Sequence, residues 1–276
     1  MTQSPPVLSA ALQAELIGVA QDLADVARVE TLRHFRTEGG LGADSKETAR
    51  FDPVTVADRA AEAAMRDILA KRRPQDGIYG EEYGISQGRS GFSWVLDPID
   101  GTRGYMSGTP TWGVLIALTQ DLGTTLGAPV LGLIDQPYIG ERFLGGFGRA
   151  ETSGPLGLRP LRARPPRALS DAILYTTFPE VGTPAEGAAF ARLSAQAKLT
   201  RYGTDCYAYA LIAAGQIDLV VEAGLQPYDV QAPIAVIEAA GGIVTNWQGG
   251  PAHMGGQVLA AANRAVHAAA MAVLNG

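Results

Sequence analysis

Cysteine is all but missing from this sequence: Cys206 is the only one among 276 residues. A single thiol can close no internal disulfide and build no thiolate zinc cluster, so neither device holds the fold together. Histidine is nearly as scarce. His34, His253 and His267 lie far apart and lack the spacing of a metal-ligating pair, which turns the search for chemistry toward oxygen donors. Positive charge is also in deficit, with 22 Lys and Arg against 28 Asp and Glu and a formal net charge of −6. Binding to a nucleic-acid backbone calls for a basic face, so no nucleic-acid partner is expected, and small molecules are expected instead. No apolar run approaches the ~18 residues that would cross a bilayer. The opening Met1–Ala10 has no basic stretch leading into an apolar one. These absences lead us to expect a soluble, cytoplasmic protein with no membrane partner.

What is present suits a compact, turn-rich chain: 46% hydrophobic residues, 18% charged residues and 34 glycines. Leu12, Leu16, Val19, Leu23 and Val26 alternate steps of four and three, which predicts a packing helix from Ser9 to about Phe35. Thr37–Asp52 reads as a loop. Thr55-Val56-Ala57-Asp58 matches a capping box opening a second helix to about Arg72, with Ala61, Ala64, Ile68 and Leu69 on its buried face. Short apolar runs then predict strands at Ile78–Gly80, Ser93–Leu96, Val114–Leu118, Val130–Ile134 and Arg142–Gly145. From Ala172 onward strands and helices alternate. Strands are expected at Ala172–Thr176, Leu219–Glu222, Ile243–Asn246 and Val258–Ala261, and helices at Ala185–Ala197, Tyr207–Gly215, Val230–Ala240 and Arg264–Leu274. The Pro- and Arg-rich Arg159–Arg167 is the expected boundary between an N-terminal α+β half (1–160) and a C-terminal α/β half (161–276).

The chemistry concentrates in Trp94-Val95-Leu96-Asp97-Pro98-Ile99-Asp100-Gly101-Thr102-Arg103, where an apolar strand runs into two aspartates, a glycine and a possible helix start. Carboxylates leaving a strand end suit hard divalent cations, and Gly101 permits close backbone approach. Turn formation and helix capping explain the same residues equally well when the segment is taken alone. Gly80-Glu81-Glu82-Tyr83-Gly84 adds a second acidic pair after a short strand, and Tyr228-Asp229 precedes a helix ending at Ala240-Gly241-Gly242.

In order and spacing these segments, together with Pro53-Val54-Thr55-Val56-Ala57-Asp58, resemble the inositol monophosphatase family of lithium-sensitive, magnesium-dependent phosphatases. The resemblance spans nearly the whole chain; Tyr228 stands where many relatives carry tryptophan. It implies a layered α-β-α-β-α sandwich with the site between the halves, often in a homodimer. It further implies two or three Mg²⁺ ions held by Glu81, Asp97, the carbonyl of Ile99, Asp100 and Asp229. Asp58 and Thr102 would orient an attacking water, with Glu81 beside them, and the amides of Gly101 and Thr102 would bind phosphate. The physical logic is that a phosphate ester and a carboxylate cluster repel each other unless cations lie between them. A haloacid-dehalogenase-type route needs a nucleophilic aspartate two residues before the second aspartate, and that position is Pro98.

Asp100-Gly101-Thr102-Arg103-Gly104-Tyr105 and Arg201–Tyr209, with Glu222 seven residues before Asp229, resemble the histidinol-phosphate phosphatase branch of that family. Arg103, Asp205 and Glu222 would then meet the organic part of a small phosphorylated metabolite, and two carboxylates there favour a cationic one. Histidinol phosphate is the expected substrate. Inositol monophosphates and 3′(2′),5′-bisphosphate nucleotides are the alternatives, and a catalytically idle phosphate-ligand sensor is the non-enzymatic one.

Overall fold

The computed structural model describes residues 8–36, 43–45, 53–121 and 125–276. Helix α1 (Ala10–His34) begins where Ser9 turns extended and its hydroxyl accepts from the Leu12 amide, and Leu16, Val19, Ala20, Leu23 and Ala27 form its buried stripe. Helix α2 (Val56–Arg72) buries Ala57, Ala61, Met65 and Leu69 together with Asp58 and Glu62. Ala64 and Ile68, expected on that face, are only half-buried. Ala61 and Leu69 are buried as expected and Ile68 packs against the same core, while Asp58 and Glu62, which an apolar pattern cannot register, share the packed face. The strands β1 (Ala43–Ser45) and β2 (Pro53–Thr55) pair antiparallel. Part of the expected Thr37–Asp52 loop is therefore strand, and its remaining residues lie outside those described, as does the Thr55 side chain expected to cap α2.

An eight-stranded sheet follows. It comprises β3 (Gly77–Gly80), β4 (Gly84–Ser86), β5 (Phe92–Asp100), β6 (Gly113–Asp121), β7 (Leu126–Gln136), β8 (Glu141–Gly146), β9 (Arg149–Ser153) and β10 (Arg159–Pro160), with the short helix α3 (Thr102–Met106) between β5 and β6. Its order is β10-β9-β8-β7-β6-β5-β3-β4, antiparallel except for the β3–β5 pair. The five-stranded sheet has the order β12-β11-β13-β15-β14 and comprises β11 (Ile173–Thr176), β12 (Leu199–Tyr202), β13 (Leu219–Leu225), β14 (Ile243–Thr245) and β15 (Gly256–Ala261). Its helices are α4 (Pro184–Ser194), α5 (Asp205–Ala213), α6 (Pro227–Ala239) and α7 (Arg264–Leu274).

Strand alternation decides the layers. Trp94 and Leu96 of β5 pack with Leu16, Leu23 and Met65 of α1 and α2, whereas Val95 turns the other way toward Ile212, Val230 and Val236 of α5 and α6. In β13, Val220 faces that same central layer, and Leu219 faces Phe190, Val266 and Ala270 of α4 and α7. The product is the expected α-β-α-β-α sandwich, with α5 and α6 shared by both sheets.

Two glycines let α6 approach the large sheet. A Cβ on Gly132 of β7 would overlap the Ala232 carbonyl, and one on Gly145 of β8 would sit 2.5 Å from Val236 Cα. Because α6 carries Asp229 in its first turn, this close seating also places an acidic side chain. Gly145→Ala is expected to destabilise the protein by roughly 1–3 kcal/mol through overpacking, measured as a lower urea midpoint at unchanged slope.

Candidate active site

Residues three apart on a regular strand point to opposite faces, so Asp97 and Asp100 could not act together on an unbroken β5. The pairing is broken. Asp97 lies opposite Leu115 and Asp100 opposite Gly113, so β5 carries one residue more than β6 over this stretch. A bulge of this kind turns the chain and brings both carboxylates to one side. Pro98 falls within it, at a place where a missing ladder donor costs little. The Ile99 amide donates to Asp97 Oδ1 at 3.0 Å, and the Thr102 hydroxyl donates to the Ile99 carbonyl at 3.1 Å, which closes the turn.

Three other segments deliver the remaining acids. β3 runs parallel to β5 with Gly80 opposite Leu96, and the Glu81 amide donates to the Leu96 carbonyl at 3.1 Å, so Glu81 stands beside Asp97. Asp229 accepts from the Gln226 amide at 2.7 Å. Asp205 opens α5 with φ of 44°, and its neighbour's amide, that of Cys206, donates to Asp100 Oδ2 at 2.5 Å. Gly101 is needed twice over: its φ is 87°, and a Cβ there would lie 2.8 Å from Asp205 Cγ.

One oxygen from each of Asp97, Asp100 and Asp229 comes within 4.8 Å of the others. Burial pushes Asp97 well above the usual carboxylate range, and the charges of Glu81, Asp100 and Asp229 push it further. Burial does the same to Asp100, reinforced by Asp205 and Asp229 and opposed by its hydrogen bonds from Cys206. An all-oxygen cluster whose members repel one another out of water fits hard divalent cations, which would relieve both penalties.

These residues border a cleft of about 590 Å³ between the sheets. Glu81 and Asp100–Arg103 line it from the large sheet, and Thr177, Phe178 and Glu222 from the small one; Asp205, packed against Gly101, and Asp229, within the acidic cluster, open α5 and α6 between them. Asp97 lies deeper, 2% exposed, and Ile99 is buried below the turn. Asp58 is not on the cleft wall. It is buried at the start of α2, where Ala57 packs with Ile99, Tyr105 and Trp112, and its charge adds to the burial that raises the Tyr105 phenol. The Tyr105 hydroxyl donates to the Thr31 carbonyl at 2.6 Å, tying α3 to α1.

On the far wall Glu222 accepts from the Thr177 amide at 2.6 Å and from the Thr177 and Thr176 hydroxyls at 3.0 and 3.1 Å. Burial nevertheless raises it to about 7. Asp205 is raised by burial to about 6, with Arg103 pulling the other way. The Arg103 guanidinium stacks 4.7 Å from the centroid of Phe178 at the mouth. Thr177 and Phe178 were not anticipated. Their signal is topological: they follow β11, which runs parallel to β13, and the carboxyl ends of parallel strands open onto ligand crevices.

The sequence profile of the inositol monophosphatase family matches residues 12–275. The chain belongs to this family. It is 41% identical over 249 residues to the bifunctional phosphatase IMPL2, chloroplastic, of Arabidopsis thaliana, covering 90% of this chain and 68% of that protein. It is 34% identical over 264 residues to a histidinol-phosphatase of Streptomyces coelicolor, covering 93% and 96% of the two. The structure of an inositol monophosphatase from Zymomonas mobilis superposes with a TM-score of 0.83 at 38% identity, covering 98% of this chain and all of that one. The inositol monophosphatase family consists of metal-dependent phosphatases acting on small phosphorylated substrates, and the cluster of Asp97, Asp100 and Asp229 could hold such a metal ion.

Because the folded protein raises Asp97 and Asp100 above their ordinary value of 3.8, their protonated forms favour folding. That stability is complete at pH values below 3.8 and is lost as pH rises through the raised values. In chelator the melting temperature is therefore expected to fall as pH rises above the ordinary carboxylate range. Saturating Mg²⁺ flattens the fall. Asp100→Asn keeps an oxygen for the Cys206 amide while removing a charge, so in chelator it melts at or above wild type. It also loses the magnesium-induced rise, as thermal melts with and without Mg²⁺ will record.

Proposed function

We propose that this protein is a magnesium-dependent phosphomonoesterase that hydrolyses histidinol phosphate to histidinol and phosphate. One observation supports the reading: two further carboxylates, Asp205 and Glu222, line the same cleft as the acidic cluster and make its wall acidic beyond the metal-type ligands. A phosphate ester approaching the cluster would set its alcohol portion against that wall. Histidinol presents an ammonium group and an imidazole there, and buried carboxylates reward cations more than the hydroxyls of a polyol. In the cell the reaction belongs to histidine biosynthesis; by resemblance the enzyme is a homodimer, and a single cysteine suits a reducing, cytoplasmic setting.

In this reading Glu81, Asp97, Asp100, Asp229 and the Ile99 carbonyl hold two or three Mg²⁺ ions. Bound magnesium supplies charge neutralisation, activation of water and stabilisation of the leaving oxygen. The protein's own groups do the rest. The Gly101 and Thr102 amides take the phosphate oxygens. Thr102 spends its proton on the Ile99 carbonyl, so its oxygen is left to accept from water; Asp58, buried behind the cleft wall, is assigned to orienting that water by resemblance to the family. Arg103, stacked on Phe178, meets the substrate at the mouth. An idle sensor would have no need to keep Asp58 and Thr102 alongside every ligand, and their joint presence supports an enzyme.

Phosphate release from histidinol phosphate, inositol 1-phosphate and adenosine 3′,5′-bisphosphate, measured side by side with Mg²⁺ and then with chelator, tests the reading. Histidinol phosphate is expected to have the highest kcat/KM, and chelation is expected to abolish turnover. A preference for the inositol ester would reject the substrate; turnover indifferent to chelator would reject the metal. Glu222→Gln is expected to raise KM for histidinol phosphate at least about tenfold at pH 8. Glu222 ionises near pH 7, so the wild-type to Glu222→Gln ratio of kcat/KM grows as pH rises through that value. Taking the ratio cancels the substrate's own titration.

A further inference from the structure

Glu62 has no exposed surface, yet it carries a charge on the packed face of α2. Its Oε2 accepts from the Glu82 amide at 2.7 Å; its Oε1 accepts from the Tyr83 amide at 3.2 Å and from Arg66 Nε at 2.8 Å. Arg66 donates in turn to the Gly84 carbonyl at 2.5 Å and the Ser86 hydroxyl at 3.0 Å. The β3–β4 turn is thus clamped from below by an ion pair on a helix. Gly80 completes the seat, because a Cβ there would overlap the Glu62 carboxylate.

Burying a carboxylate is costly unless its lone pairs are met, and an apolar replacement is often as stable. A buried charge at this point therefore calls for a reason beyond stability. The segment it grips begins with Glu81. The Glu81 amide is held by the Leu96 carbonyl, and the next two amides are held by Glu62, so three successive peptide groups are fixed around one side chain that faces the acidic cluster. Outer groups that orient a ligand in this way commonly govern the affinity of the ion it binds.

We propose that Glu62 is a positioning residue that holds Glu81 in its metal-binding pose, so that magnesium affinity depends on a side chain that never touches the ion. The proposal rests on the reading of Glu81 as a ligand. Glu62→Gln sets an amide NH₂ against a backbone N–H or against Arg66, and Gly80→Ala displaces the carboxylate without changing any charge, so the two variants perturb the clamp independently. Titration calorimetry of the full chain with Mg²⁺ alone is expected to give about 10- to 100-fold weaker binding in both, with kcat largely recovered at saturating Mg²⁺. In a Glu81→Gln background the further change Glu62→Gln is expected to cost no additional affinity. Variants that melt lower in chelator but bind Mg²⁺ as wild type does would make Glu62 structural and overturn the proposal, as would a full further loss in the Glu81→Gln background. If one variant fails to fold, the other decides. Wild-type protein that binds no Mg²⁺ would overturn the metal reading itself, a result distinct from either variant's failure.

Discussion

Mutual repulsion among Glu81, Asp97, Asp100 and Asp229 is the constraint that the rest of this structure answers. Four carboxylates drawn together, Asp97 buried and the other three half-buried, destabilise whatever holds them, and burial together with neighbouring charge raises both Asp97 and Asp100. The chain meets the strain with backbone donors. Asp97 receives the Ile99 amide, Asp100 the Cys206 amide and Asp229 the Gln226 amide, each from a different segment. One oxygen of each group is thereby oriented while the other can face the cleft. The cluster is prepared for cations by a scaffold that tolerates their absence only at a cost.

The layering follows from this need. Residues far apart in the chain must converge, and each is carried by an element whose position is set by packing elsewhere. Asp97 and Asp100 leave the strand that is covered by α1 and α2 on one face and by the central helices on the other. Asp229 arrives on α6, whose approach to the sheet depends on Gly132 and Gly145 having no side chains. Beneath α3, the rings of Phe35, Tyr105 and Trp112 pack with centroids 4.8–5.2 Å apart, fixing the turn that leads from Asp100 into Thr102.

Much of this was legible in the sequence, because the long amphipathic elements state their own period. The stripe on α1 and the run Arg264–Leu274 of α7 read directly, and β3, β5, β6, β7 and β8 of the large sheet were located if not fully bounded. The strands β4, β9, β10 and β12 were missed because they are short or exposed and carry no alternation to read. The face of α2 was read only in its apolar part, because hydrophobic counting ignores buried acids such as Asp58 and Glu62, the latter met by two backbone amides and Arg66. Of the site, the acids were visible through their motif, whereas the bulge that lets two of them cooperate was not. Thr177 and Phe178 carry no chemical signature of their own and acquire a role only from the strand end they occupy.

The partners of Glu222 belong to Thr176 and Thr177, on the same side of the cleft and in the same small sheet, not to the segments that bear Asp97 and Asp100. This separation has an evolutionary corollary. If Glu222 meets the alcohol as proposed, drift in the threonine-lined pocket would retarget the protein from one ester to another while the acidic cluster stays intact, so a lineage built on this scaffold could diversify its diet without reinventing its chemistry.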